Sequence, residues 1–349
     1  MKRSMAKGMG GALVLGACMG AVSAPALAQS NVTLYGQVDA WVGAVKNPGG
    51  DRAWTQGGGG MSTSYWGMKG NEDLGGGLKA VFVLEDFFRP QNGQYGRFQG
   101  DSMFSRNAYV GLQSDTAGTV TIGRLTTSYF VSTILFNPFV DSYTFSPMVF
   151  HTFIGQAGQG VVGDSGWSNA VMYTTPNFKG LTGAVSYAFG NKAGETGQNK
   201  WSASALYFNG PFAATVAYQQ VKFDSVPDDM AGITGFRSQQ ALQLGATYDL
   251  QVVKFFGQYQ YIRNNITGGG VSENGGQLGV SVPLGNGKVL ASYAYTKSSG
   301  ASNVNRKTWA LGYDYNLSKR TDIYAAYMND KVSTMSGGDT FGGGVRMKF

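Results

Sequence analysis

The chain of 349 residues has one cysteine, one histidine and nine prolines. Cys18 lies in an N-terminal stretch read below as removed, so the mature chain has no cysteine for disulfides or thiolate metal sites. His151 stands alone, and no spaced set of ligands or nucleotide fingerprint accompanies it, so neither a metal nor a cofactor is expected. Charged residues make up only 13% of the chain. The formal charge of +7 falls to +4 once Lys2, Arg3 and Lys7 are set aside with that stretch. The remaining basic residues are scattered rather than gathered in a stripe, which argues against nucleic acid as a partner. No segment after the N-terminal stretch offers the ~18 apolar residues that a membrane-spanning helix needs. Glycine runs at 57–60, 75–77 and 268–270 fall in expected loops or turns and open no helix, which excludes a phosphate cradle.

The N-terminal stretch is the first positive signal. Residues 1–28 combine a basic start, an apolar middle from Gly10 to Val22 and a small-x-small site at Ala26-Leu27-Ala28, the marks of an export signal cleaved before Gln29. Leu15-Gly16-Ala17-Cys18 resembles a lipoprotein processing site, which would instead retain an acylated Cys18. Apolar character continuing past the cysteine favours cleavage after Ala28.

Strict alternation then begins. In 31–41, Val32, Leu34, Val38 and Ala40 face one way, and Thr33, Tyr35, Gln37, Asp39 and Trp41 the other. The same period of two recurs through 181–189, 212–219, 242–248, 253–261, 308–315 and 341–349. One face is apolar, with Tyr, Phe or Trp near the strand ends. The other is small and polar, too hydrophilic for a packed core. A sandwich turns its apolar faces toward each other. A barrel in lipid turns them outward and keeps a polar lumen with aromatic girdles at both interfaces.

Short connections at 71–77, 114–118, 176–180, 209–211, 249–251, 283–288 and 316–320 alternate with longer ones. The longer ones lie near 45–60, 89–103, 125–167, 191–200, 224–237, 264–275, 297–304 and 330–339. That pattern predicts an all-β fold over 29–349: a 16-stranded antiparallel transmembrane β-barrel. Closure follows because an open sheet edge in hydrocarbon leaves backbone groups unpaired. One stretch, 125–167, breaks the rhythm. It has no Lys or Arg and carries Tyr129, Phe130, Phe136, Phe139, Tyr143, Phe145, Phe150 and Phe153. So aromatic a loop must be buried, and a patternless loop of this length is usually functional.

The segments NVTLYGQVDA (31–40), WGMKGNEDLGGGLKAVFVLE (66–85), SRNAYVGLQS (105–114), GTVTIGR (118–124), YTTPNFKG (173–180) and LGYDYNLSKRTDIYAAY (311–327), with terminal Phe349, resemble the Gram-negative general porins of β-proteobacterial type. The resemblance covers nearly the whole mature chain. It implies a homotrimer in the lipid of the bacterial outer membrane, passing small hydrophilic solutes and ions by passive diffusion. It also implies that 125–167 folds into the barrel as a constriction, with loop acids facing basic residues on the wall. Arg106 and Arg124 match wall arginines of the family, which either pin the loop as ion-pair partners or contact solute, and Gln37 matches a position that can be basic. Tyr65 stands where relatives usually carry arginine, and within FNPFVDS (136–142), where many relatives carry an acidic loop motif, only Asp141 can serve. The family's transverse field is therefore weakened here. Phe349 matches the aromatic recognised by the barrel-assembly machinery, and also suits an interface anchor.

Lys69, Glu85, Lys254, Arg346 and Lys348 share the lumen parity, as do Val81 and Val83. Lumen basic residues outnumber the loop acid, which predicts a mild anion preference. The loop aromatics serve mainly as wedges against the wall. In a sharper reading, Phe136, Phe139 and Tyr143 line the aperture and give apolar or ring-containing solutes a stacking surface. His151, with Ser142, Ser146, Asp141 and Asp164 near it in sequence, raises a barrel hydrolase as the remote alternative, but no motif fixes such a triad.

Overall fold

The computed structural model describes residues 31–155, 159–161, 163–191, 193, 198–222 and 235–349. The export signal at 1–28, with its alternative at Cys18, and most of the connection at 224–237 lie outside the described residues.

The strands are β1 (Asn31–Lys46), β2 (Arg52–Gly58), β3 (Tyr65–Gly75), β4 (Leu78–Arg89), β5 (Gln94–Tyr95), β6 (Asn107–Ser114), β7 (Gly118–Thr126), β8 (Gly166–Thr174), β9 (Leu181–Ala188), β10 (Lys200–Asn209), β11 (Phe212–Lys222), β12 (Phe236–Asp249), β13 (Lys254–Ile266), β14 (Val271–Leu284), β15 (Gly287–Gly300), β16 (Asn305–Asn316), β17 (Thr321–Val332) and β18 (Gly338–Lys348). Consecutive strands pair antiparallel, and β18 returns to β1 to close the sheet. Both β2 and β3 pair with β1, over Ala40–Lys46 and Asn31–Gln37 respectively, so they are two parts of one stave broken at 59–64. The two-residue β5 pairs only with the last two residues of β4 and is not a stave. Sixteen staves remain, as the alternation predicts.

The faces fall as read. Val32, Leu34, Val110, Ile122, Val185, Leu244, Leu278 and Leu311 are exposed on the outside, Leu278 at 73%. Gln37, Asp39, Thr215, Gln243, Gln258 and Gln260 are buried on the inside. Exposed Tyr248, Tyr293, Trp309 and Phe349 supply the girdles. The Phe349 backbone exchanges hydrogen bonds with Gly36 at 3.1 and 3.2 Å, and its ring lies over that glycine, so the last residue helps to seal the closing seam.

The connection lengths need correction. What was expected as a loop near 45–60 is mostly the β1–β2 hairpin, and the run 57–60 partly belongs to β2. Those near 264–275, 297–304 and 330–339 shrink to turns at 267–270, 301–304 and 333–337 because the strands run on. There the outer face carries Ser272 and Asn274 instead of apolar residues. Beyond the lipid both faces meet water, so apolar alternation stops while strand pairing continues.

The connection between β7 and β8 holds two helices that periodicity did not reveal, α1 (Ser128–Leu135) and α2 (Pro147–Phe153). Thr127 caps α1 by accepting from the Phe130 N–H, and Ser146 caps α2 by accepting from the Val149 N–H, with Pro147 in the first turn. Both are short and apolar on more than one face, so no helical stripe shows in the sequence.

Candidate functional site

The inserted loop lies along one side of the lumen, and wall glycines receive it. A Cβ on Gly245 of β12 would come within 2.9 Å of the Phe136 ring, and one on Gly279 of β14 within 2.8 Å of Pro138. A Cβ on Gly312 of β16 would meet Phe139 at 3.1 Å. The Phe-Asn-Pro-Phe run thus seats its apolar side chains in notches on alternate strands. Phe136 and Phe139 are 0% exposed. Asn137 braces the run, donating to the carbonyls of Thr133 and Val140 while its oxygen accepts from the Phe139 N–H and the Ser146 hydroxyl.

Hydrogen bonds to uncharged wall groups extend this docking. From α1, Ser132 pairs with Thr215, and Thr133 donates to Gln243 at 2.7 Å. Gln243 in turn donates to Gln258, whose amide reaches back to the Thr133 carbonyl. From α2, Thr152 donates to Gln260, and His151 lies between Thr296 (2.8 Å) and Thr308 (2.6 Å). Thr308 commits its proton to Asp330. His151 Nε2 must therefore donate to Thr308, while Nδ1 accepts from Thr296, which is the neutral imidazole. Burial, and then the nearby Arg306, hold the imidazole well below its ordinary value. Arg306 makes a two-pronged pair with Asp330 at 2.8 and 3.0 Å, donates to the Ile154 carbonyl, and lies over the Phe150 ring. No serine joins this network, so the triad arrangement is absent around His151 among the described residues.

The tip of the loop is strapped to the break in the second stave. Asp39, fully buried, accepts from the backbone N–H groups of Gly60, Met61 and Ser62 and from the Tyr324 hydroxyl. This cradle turns 59–64 inward. Ser142 and Thr144 then donate to the Gly60 and Gly59 carbonyls. Ser62 donates to the Asp141 carboxylate, 2.7 and 2.8 Å from its two oxygens, and accepts from Gln37. Burial pushes the Asp141 carboxyl above its ordinary value; the Ser62 hydrogen bond and the positive charges of Arg106 and Arg346 oppose it.

The wall beside this strap carries the charged groups. Arg106, partly exposed, pairs with Glu85 and lies 4.1 Å above the centre of the Tyr65 ring. Tyr35 donates to Glu85 at 2.7 Å, and Lys69 lies over the Tyr35 ring at 4.8 Å. Tyr65 is thus a platform that holds the arginine by its ring face. Lys69 and Lys348 are exposed and Lys254 is half-buried, with no ion pair for any of them among the described residues. Arg346 is balanced by Asp314 (3.3 Å) and Asp322 (3.2 Å), a partnership that parity alone did not suggest.

Arg124 serves as a clamp. It sits at a register shift between Gly123 and Leu125, contacts Asp164, and donates to Ser168 and the Ser105 carbonyl. Arg97, in the connection after β5, grips the same Asp164 together with Asp101. Burial raises the Asp164 carboxyl, but the two guanidiniums outweigh it and hold it below the ordinary value. The loop is pinned where it leaves and re-enters the wall.

The geometry favours the packing reading for three of these residues. Phe136 and Phe139 are wall wedges rather than aperture rings. Arg124 braces the loop. Of the loop aromatics named for the aperture, only Tyr143 remains partly exposed, stacked on Phe130 at 6.2 Å. Asp39, Arg97, Arg306 and the glycine notches escaped the sequence reading. An acid on a polar strand face or a glycine in a strand carries no mark of a partner so distant along the chain.

A closed sheet with an apolar exterior, a polar interior and an inward-folded loop defines a transmembrane β-barrel channel. Comparison with known proteins narrows this class. The model described as Gram-negative porin matches residues 12–334, and the chain belongs to that family. Outer membrane porin protein 32 of Delftia acidovorans is 34% identical over 337 residues, covering 91% of this chain and 89% of the relative. An outer membrane porin of Bordetella pertussis is 28% identical, covering 97% and 99%. Among solved structures, the anion-selective porin from Comamonas acidovorans superposes with a TM-score of 0.76 at 29% identity, covering 92% and 100%. A trimer form of OmpT from Vibrio cholerae, 15% identical with a TM-score of 0.69, shares the fold. The protein is a channel of the bacterial outer membrane and not an enzyme.

Proposed function

We propose that the channel passes small hydrophilic solutes and ions by passive diffusion with a mild preference for anions. The observation that carries the preference is the balance of charge in the lumen. Lys69, Lys254 and Lys348 make no ion pair among the described residues, and Arg106 keeps part of its surface open beside its partner Glu85. Against them, the two loop acids are engaged, Asp164 by Arg97 and Arg124 and Asp141 by Ser62. Charges in a narrow, low-dielectric pore act strongly on passing ions. The anion-selective relative from Comamonas acidovorans supports the same sign. In this reading Arg106, Tyr65, Gln37 and Asp141 border the constriction, whereas Arg124, Phe136 and Phe139 hold the loop in place.

The working form is a homotrimer, as for the trimeric neighbour. The barrel sits in outer-membrane lipid after removal of 1–28, and Phe349 is the feature offered to the assembly machinery. A reversal potential across a planar bilayer in a potassium chloride gradient tests the preference. Anion preference gives a potential of the sign set by chloride. Clear cation selectivity would overturn the lumen charge balance. A second reading, in which ring-containing solutes are favoured, draws on a cleft above the constriction.

A further inference from the structure

A cleft of about 400 Å³ opens between the end of β4, the connection after β5 and the inserted loop. Its apolar lining comes from Phe88, Phe98, Tyr143, Phe153 and Ile154. Tyr143 and Phe153 are held by contact with Phe130, at 6.2 and 5.1 Å between ring centres, so this aromatic surface is pre-arranged. Two cations reach the cleft, and they differ. Arg97 is spent on Asp101 and Asp164. Arg89 makes no ion pair among the described residues; it donates once, to the Tyr95 carbonyl at 3.2 Å, and its buried Nε has no partner. An unpaired guanidinium at one side of an aromatic trough is complementary to a ring that bears one negative charge.

We propose that this cleft is a binding site for small ring-bearing monocarboxylates, on the extracellular side of the constriction. The ring lies against Tyr143, Phe153 and Phe98, and the carboxylate takes charge-assisted hydrogen bonds from Arg89. The volume falls in the range of ordinary small-molecule pockets and suits a single ring with a short acidic arm. The chemistry separates this class from its neighbours. A simple aliphatic carboxylate leaves the aromatic trough unused, and a neutral ring leaves Arg89 unpaired. The site deepens the channel reading by naming a solute class and rests on that reading for its role in uptake.

The test is binding of phenylacetate to the folded barrel in detergent, measured by isothermal titration calorimetry beside acetate and benzyl alcohol. Phenylacetate is expected to bind about tenfold or more tightly than either control. Arg89→Gln should remove that advantage, Arg89→Lys should retain part of it, and Phe98→Ala should weaken phenylacetate without affecting acetate. Heat-modifiable migration on gels confirms that each variant is a closed barrel. Equal binding of acetate or benzyl alcohol, or unchanged binding by Arg89→Gln, overturns the site. Planar-bilayer conductance separates the two claims. A conducting barrel that ignores phenylacetate removes this site alone, whereas a closed barrel that binds it but never conducts removes the channel reading.

Discussion

The two halves of the lumen are built from different chemistry. From β11 to β16 the wall offers glycine notches, threonine hydroxyls and glutamine amides, and its buried arginine, Arg306, is matched by Asp330. From β1 to the start of β6 it offers exposed Lys69, partly exposed Arg106, Tyr35 and Tyr65, and the buried Glu85 that pairs with Arg106. The first half, which carries both docked helices, is the main foundation. The second, which meets only the loop tip, is the main filter, with Lys254 of β13 adding a lumen charge on the foundation side. Most hydrogen bonds beneath the docked helices are neutral, and the charged groups there are engaged, Arg306 with Asp330 and Glu273 with the Gly160 N–H. Unpaired charges raise a field but would be costly beneath a docked loop, where desolvation outweighs what attraction returns. Separating them lets the constriction be rigid on one side and selective on the other.

The largest effect is expected where the foundation holds its buried ion pair. Asp330→Ala leaves the Arg306 guanidinium buried without its carboxylate, a loss of about 3–5 kcal/mol. Because Arg306 also bonds the Ile154 carbonyl and covers Phe150, α2 should loosen. Single-channel recordings should show larger, noisier currents and thermal unfolding should begin earlier. Unchanged conductance would mean that α2 docks without this pair.

Filling a notch should come next. Gly279→Val puts atoms where Pro138 now lies, since even a Cβ would stand 2.8 Å from that ring. Overpacking of this kind costs about 1–3 kcal/mol. The loop should lift and the conductance rise, while Gly276→Val, whose nearest contact would be 3.5 Å away, should do much less. Equal effects of the two substitutions would break the contrast between notch and ordinary strand glycine.

Acid should weaken the foundation more gently. The docked imidazole of His151 is held neutral, well below its ordinary 6.5, by burial and by Arg306. An undocked loop exposes that imidazole and takes up a proton first, so docking is at full strength above pH 6.5 and falls as the pH drops below it. Open-channel noise should increase between pH 7.5 and pH 5. His151→Gln, which keeps hydrogen-bonding capacity without a titrating ring, should flatten that part of the response.

How much of this division could be read in advance follows from the range over which each signal acts. Period-two alternation is local, so Val32 through Trp41 announced their faces and the sheet followed. The turns at 267–270 and 301–304 do not show in the pattern because Ser272 and Asn274 beside the first, and Lys297 and Ser299 beside the second, face water, where lipid no longer demands an apolar residue. The foundation was invisible for another reason: Gly245, Gly279 and Gly312 acquire meaning only from Phe136, Pro138 and Phe139, far away in the chain. Aromatic content showed that 125–167 had to be buried. It could not show that Phe136 and Phe139 would turn to the wall while Tyr143 stayed partly open.

The smallest effect is expected on the filter side, and it sharpens the contrast best. Lys69 is exposed, lies over Tyr35 and has no carboxylate partner among the described residues. Lys69→Glu should therefore move the reversal potential toward cations while leaving the loop, and so the conductance in concentrated salt, nearly as it was. Screening sets the conditions. The Debye length is about 10 Å at 0.1 M and about 3 Å at 1 M, so the shift should be marked in dilute chloride and fade in concentrated chloride. Asp330→Ala acts by moving the loop and should change the conductance at both salt concentrations. A Lys69→Glu effect that persisted in concentrated salt would place this lysine in the structural half after all.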